Sequence, residues 1–168
     1  MTIGKNVVKI DATAFNNCES INKVYFEGNI SEWCEIDFVD IDSSPFYHSS
    51  MNSKRTNFYI NNVLVEGNIE IPEGTKKIGN AAFYDCDALT TMTIGDGITT
   101  IPDSLCYSCD KLNEVRIGKG IQSIGILAFY INDAYNIEKF YCYAALPPIF
   151  SNKKIYMGKF TPSDWHAG

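Results

Sequence analysis

Four short stretches of the chain share one arrangement of apolar and polar positions. Ile21-Asn-Lys-Val24-Tyr-Phe26, Leu89-Thr-Thr-Met92-Thr-Ile94, Leu112-Asn-Glu-Val115-Arg-Ile117 and Ile137-Glu-Lys-Phe140-Tyr-Cys142 all read apolar-x-x-apolar-x-apolar. The period-2 alternation at the end of each predicts a strand with one face inward. Around the strands the apolar set repeats as a block. Ile71, Ile94 and Ile117 are 23 residues apart, as are Ile78, Ile101 and Ile124, and likewise Phe83, Cys106 and Phe129. Cys86 with Cys109 and Leu89 with Leu112 keep the same step. A fixed period in this range predicts a stacked solenoid, in which each coil buries its apolar set only against its neighbours.

The segments Ala81-Ala82-Phe83 and Leu127-Ala128-Phe129 are too short for full helices and predict single turns of α- or 3-10 helix. Gly74, Gly79, Gly97, Gly120 and Gly125 fall at the coil corners, where backbone angles closed to other residues are expected. The strand that starts at Ile137 is displaced by two residues from the regular step, which predicts a bulge over 133–136.

The repeat breaks between Phe26 and Ile69. Ile3, Val7, Ile10, Phe15 and Cys18 precede Ile71, Thr75, Ile78, Phe83 and Cys86 by 68 residues, one less than three periods, so about two coils' worth of chain has replaced the regular unit. This excursion carries Trp33, Phe38, Phe46, Tyr47, Phe58 and Tyr59, too many aromatics for a disordered stretch. Phe58-Tyr-Ile60 and Val63-Leu-Val65, joined by Asn61-Asn62, predict a β-hairpin, since Asn tolerates positive φ. The division expected is one domain over 1–168: a first repeat (1–26), an irregular insertion (27–68), regular repeats (69–143) and a cap or tail (144–168). In the tail, Lys154-Ile-Tyr-Met157 reads as a strand. The chain opens in the middle of a repeat without a leader, as expected of a piece of a longer protein.

Charge narrows the partners. The net charge is -6, and the 14 Lys and Arg form no run longer than a pair. Nucleic acid and anionic membrane want a basic stripe, so neither is an expected partner. No apolar run approaches the ~18 residues of a membrane-spanning helix, so no membrane insertion is expected of this segment.

Chemistry-bearing motifs are few. Cys106-Tyr-Ser-Cys109 is a C-x-x-C, which elsewhere marks a redox pair or half a zinc site. Here the repeat register accounts for it: Cys109 falls over Cys86, and Cys106 takes a core position. A zinc site lacks further ligands, because the histidines, His48 and His166, lie outside the repeats. Cys86 and Cys109 fall one coil apart, within reach of a disulfide, and are expected reduced; Cys18, Cys34 and Cys142 read as small apolar fillers. Asp40-x-Asp42-x-Ser44, beside Asp37, starts like a calcium loop, yet Pro45 and Met51 stand where that loop wants Gly and Glu. Asn29-Ile-Ser31 is a glycosylation sequon by pattern alone. No histidine in a repeat can serve as a base, and Ser104 and Ser108 are turn residues. No metal, cofactor or catalytic site is expected.

The residues that alternate outward on the four strands are Lys23 and Tyr25, Thr91 and Thr93, Glu114 and Arg116, and Lys139 and Tyr141. On a curved stack they form two parallel ladders on the concave side, the face repeat proteins commonly use to bind. Tyrosine and arginine are enriched in protein contacts. The plainer alternative is a wet sheet face of good β-formers.

The phrases IPEGTKKIG and IGNAAFYDCDALTTMTI, with their isoleucine-proline opening and AF-x-x-C turn, resemble the BspA-like class of leucine-rich repeat proteins. The likeness extends through ISEWCEIDF, SSPFY and FYINNVLVEGNIEIPEG, and covers roughly Ile3 to Phe150. It departs at Cys106, where the phenylalanine belongs, and at Asn132, where the cysteine belongs. It implies an α/β solenoid, a right-handed leucine-rich-repeat superhelix that is mostly β with short helical or 3-10 turns. It also implies a cell-surface or secreted protein that is no enzyme, adhering to a protein or glycan on a host or bacterial surface. A spacer role, projecting another domain with no ligand of its own, is the alternative.

Overall fold

The computed structural model describes residues 1–47, 56–131 and 137–151. Short strands dominate: β1 (Thr2–Ile3), β2 (Lys9–Ile10) and β3 (Lys23–Phe26) precede the short helix α1 (Ile30–Cys34), then β4 (Asp37–Phe38) and a 3-10 turn at Ile41–Ser43. The hairpin strands β5 (Asn57–Ile60) and β6 (Val63–Leu64) lead into β7 (Gly67–Ile71). The regular coils supply β8 (Leu89–Ile94), β9 (Thr100–Ile101), β10 (Glu114–Ile117), β11 (Ser123–Ile124), β12 (Lys139–Cys142) and β13 (Ile149–Phe150). The chain is the expected solenoid, mostly strand with very little helix.

A front layer holds two four-stranded sheets, ordered β1-β3-β5-β6 and β12-β10-β8-β7. Every pair in them is parallel except the β5–β6 hairpin. A back layer holds β2-β4 and β13-β11-β9. Ile71 pairs with Ile94 and Ile94 with Ile117, and all three are buried, so the 23-residue step is one column of isoleucines. The column ends on Cys142 opposite Ile117, and that 25-residue step is the displacement of two expected for this strand. The bulge expected over 133–136 and the strand expected at 154–157 lie outside the described residues.

The third layer, the turns, differs from expectation. Ala81 and Leu127 are not in helical turns: Ala81, Ser104 and Leu127 have φ of 51, 53 and 56°, and Asp85 and Ser108 have 52 and 57°. A left-handed conformation costs a non-glycine residue roughly 1–2 kcal/mol. Hydrogen bonds between coils hold it. The amides of Ala81, Phe83 and Asp85 donate to the carbonyls of Asp103, Leu105 and Tyr107 at 3.0, 3.0 and 2.8 Å. One coil on, the amides of Ser104, Cys106 and Ser108 donate to those of Ile126, Ala128 and Tyr130 at 2.9, 2.7 and 2.7 Å. A helical turn would spend these donors within its own coil.

The corner glycines also serve another purpose. None of Gly74, Gly79, Gly97, Gly120 and Gly125 has positive φ. A Cβ at Gly79, Gly97 or Gly120 would come within 2.3, 2.3 or 2.0 Å of the Ile36, Glu73 or Asp96 carbonyl oxygen, so glycine is needed for close approach between coils.

Among the described residues the excursion forms one enlarged coil and a hairpin. Among the described residues a single back strand, β4, stands between Ile10 and Ile78. Gly79 then donates to the Cys34 carbonyl at 2.8 Å, so the back layer runs through the irregular region. Trp33, fully buried, is the hub of this coil, with Phe26, Phe38, Phe46 and Phe58 at centroid distances of 5.3, 5.3, 5.9 and 4.5 Å. Its indole N–H donates to the Ala82 carbonyl at 2.9 Å, and the Ser44 hydroxyl to the Ala81 carbonyl at 3.1 Å. The hairpin forms as expected: Ile60 pairs with Val63, and Asn61 and Asn62 have φ of 49 and 63°.

Candidate functional site

The outward residues of the front layer fall into rows by strand register. Thr91, Glu114 and Lys139 lie side by side, as do Thr93, Arg116 and Tyr141. β7 adds Asn68 to the first row and Glu70 to the second, two positions the alternation pattern left out. Glu114 organises the charges. Its carboxylate accepts from Arg116 Nε at 2.5 Å, two residues along the same face, and lies 3.7 Å from Lys139 Nζ one strand over. The Arg116 guanidinium stands 5.2 Å from the Tyr141 ring centroid, a cation–π distance. Tyr143, half exposed, continues the aromatic edge.

Lys23 and Tyr25 do not join these rows. They belong to the first front sheet, where Lys23 pairs with Asn57, and Tyr25 lies between Thr2 and Tyr59. Tyr25 and Tyr59 stack at 4.6 Å with 17° between ring planes. The two ladders expected along all four strands are therefore split into two patches. The cause is the hairpin, since β6 takes the sheet edge at which a further parallel strand would have continued the row.

The cysteines mostly follow the repeat. Cys34, Cys86, Cys106 and Cys109 are buried free thiols; Cys106 Sγ contacts Met92 Sδ at 3.5 Å, and Cys109 Sγ donates to the Phe83 carbonyl at 3.0 Å. Burial pushes the Cys34, Cys86 and Cys106 thiols well above their ordinary value. Cys18 departs from expectation, being exposed. It lies in the end coil of the structure, whose turn makes its hydrogen bonds internally, as in Cys18 N–H to the Phe15 carbonyl. Cys142 is half-buried.

Asp40, first of the calcium-like spacing, caps the 3-10 turn by accepting from the Ser43 amide at 3.0 Å. His48 and His166 lie outside the described residues, among which no group of His, Cys, Asp and Glu is arranged to hold a metal ion. No helix among them is long and apolar enough to cross a membrane.

The register, the inter-coil amide ladder and the AF-x-x-C turns meet in a family match. The model of the BspA type leucine rich repeat region matches residues 1–64 and 54–152, in six copies. The chain belongs to the BspA-type leucine-rich repeat family. No curated protein and no solved structure matches it. BspA-type repeats are generally found in surface or secreted bacterial proteins, and leucine-rich-repeat solenoids are typically non-catalytic.

Proposed function

We propose that this chain is a non-catalytic recognition module of a bacterial cell-surface or secreted protein. It engages a protein or glycan on a host or bacterial surface through the second front sheet. The observation that carries this reading is the row Glu70, Thr93, Arg116 and Tyr141, in which the exposed Arg116 guanidinium is held between the Glu114 carboxylate of the neighbouring row and the Tyr141 ring. Both contacts fix Arg116 before a partner arrives, and pre-ordering a long side chain reduces the entropy lost on binding. Arginine and tyrosine are also the side chains on which interface energy concentrates. The cations of these pairs, Arg116 and Lys139, are solvent-exposed, and such pairs contribute ~0–1 kcal/mol to stability, so Arg116 can be altered without unfolding the coil.

Binding to immobilised extracellular-matrix proteins, bacterial cells and a glycan array tests this. Arg116→Glu and Tyr141→Ala should each weaken the binding about tenfold or more while leaving thermal unfolding in place. A second reading is favoured by the continuous back layer and by Asp96 and Asp103, which accept the Lys119 and Ile126 amides one coil on at 2.8 and 2.6 Å. Such clamps suit a stiff spacer. Absence of any bound surface, or binding that ignores both substitutions, would favour that role.

A further inference from the structure

A row of tyrosines runs along the turn layer, away from the front sheets. Tyr84, Tyr107 and Tyr130 keep the 23-residue step, each directly after a buried core residue, Phe83, Cys106 or Phe129. Tyr47 of the excursion extends the row to a fourth coil. Neighbouring ring centroids are 5.6, 5.1 and 4.9 Å apart; Tyr47 meets Tyr84 edge to face at 78°, while Tyr84 and Tyr107 are parallel to within 2° and Tyr107 and Tyr130 to within 28°. All four rings are half-buried.

Stacking decides what the row can offer. The faces of Tyr84, Tyr107 and Tyr130 are turned on one another, so this part of the row presents edges and phenol hydroxyls, not an open platform for an apolar ligand. The hydroxyl-bearing groups recur at about one coil spacing. An extended polypeptide advances about 3.3 Å per residue and shows the same face every second residue, out of step with the rings. A polyproline helix advances ~3.1 Å per residue with three residues per turn, and is read by open aromatic grooves that are absent from this row. One pyranose unit of an extended glycan advances by close to one ring spacing and carries several hydroxyls to meet a phenol. The chain's net charge of -6 disfavours a polyanion. Burial raises the Tyr84 and Tyr107 phenols, so both remain proton donors well into alkaline solution.

We infer that Tyr47, Tyr84, Tyr107 and Tyr130 form a binding site for a neutral linear polysaccharide laid along the solenoid axis, one sugar unit to each ring. The site is separate from the front-sheet row and does not depend on it. Titration calorimetry with neutral gluco-, xylo-, manno- and N-acetylglucosamine oligosaccharides of increasing length tests it. Affinity for one series should rise with length and level off at about four units, one for each ring. The variant Y84F/Y107F keeps the stack and removes two hydroxyls; it should bind at least about tenfold more weakly with its unfolding midpoint unchanged. Arg116→Ala should bind these sugars like the parent. Four outcomes would overturn the inference: no binding in any series at millimolar sugar, binding unaffected by Y84F/Y107F, binding lost on Arg116→Ala, or a proline-rich peptide that binds the row while the sugars do not.

Discussion

The regular coils and the excursion solve one problem by different means. Each must present donors to the turn carbonyls of the coil that follows and fill the volume between front and back layers. From Ala81 to Tyr130 the backbone supplies the donors, three amides per coil, and a repeated set of mid-sized side chains supplies the volume. In the excursion the donors are the Trp33 indole and the Ser44 hydroxyl, and the volume is Trp33 with the four phenylalanine rings around it. What a solenoid conserves along its axis is therefore the interface between coils, and the residue pattern matters only as one way of making it.

Trp33→Ala attacks that equivalence hardest. It removes the hub and the donor to Ala82 together, and should cost ~3–5 kcal/mol in chemical denaturation. The comparison sharpens with Trp33→Phe, which keeps most of the volume and should lose ~1–3 kcal/mol for the orphaned carbonyl. Equal losses for the two variants would mean that the hydrogen bond, not the packing, joins the regions.

Glycine substitutions compare the junction with the regular stack. Gly79→Ala and Gly120→Ala each drive a methyl into a backbone carbonyl of the preceding coil and should destabilise by ~1–3 kcal/mol. Gly74→Ala meets nothing within 4 Å and should change stability by no more than about 0.5 kcal/mol. A tolerated Gly79→Ala beside a damaging Gly120→Ala would show the junction to be looser than the regular stack. Ser44→Ala is milder, ~0.5–1.5 kcal/mol, because the Ala81 carbonyl also accepts from the Tyr84 amide at 3.1 Å.

Thiol labelling reads the same contrast with almost no change in stability. Cys18 should alkylate first and Cys142 more slowly, while Cys34, Cys86 and Cys106 should react only on unfolding, followed by mass spectrometry. Their thiols have folded values raised above the ordinary 9.0. The stability they contribute is thus complete below pH 9 and declines as the unfolded thiols ionise above it. An unfolding midpoint flat from pH 8 to pH 10 would contradict this.

Much of the stack was legible in the residues, because a column of identical environments selects identical side chains; Ile71, Ile94 and Ile117 are the plainest case. The turns were not. Ala81, Ser104 and Leu127 carry no mark of left-handed backbone, since the conformation is imposed by carbonyls on the next coil and not by their own preferences. Cys18 shares the register of Cys86 but not its burial, which depends on the neighbouring turn. Among the candidate binding residues, period-2 alternation ordered Thr93, Arg116 and Tyr141 correctly. It could not reveal that Lys23 and Tyr25 stand apart, because that follows from where β6 pairs. The tyrosine row was visible as a 23-residue recurrence one place after the core position.

In the turn layer the amides that join coils point toward later coils and the carbonyls that accept them toward earlier ones, which makes the stack a directional object, like a column of interlocking cups. Removing or duplicating one whole turn leaves each cup seated in the next. Reversing a segment would set rim against rim. A lineage of such chains can therefore vary in length by whole units at little structural risk, and any join between two of them through this layer must run head to tail.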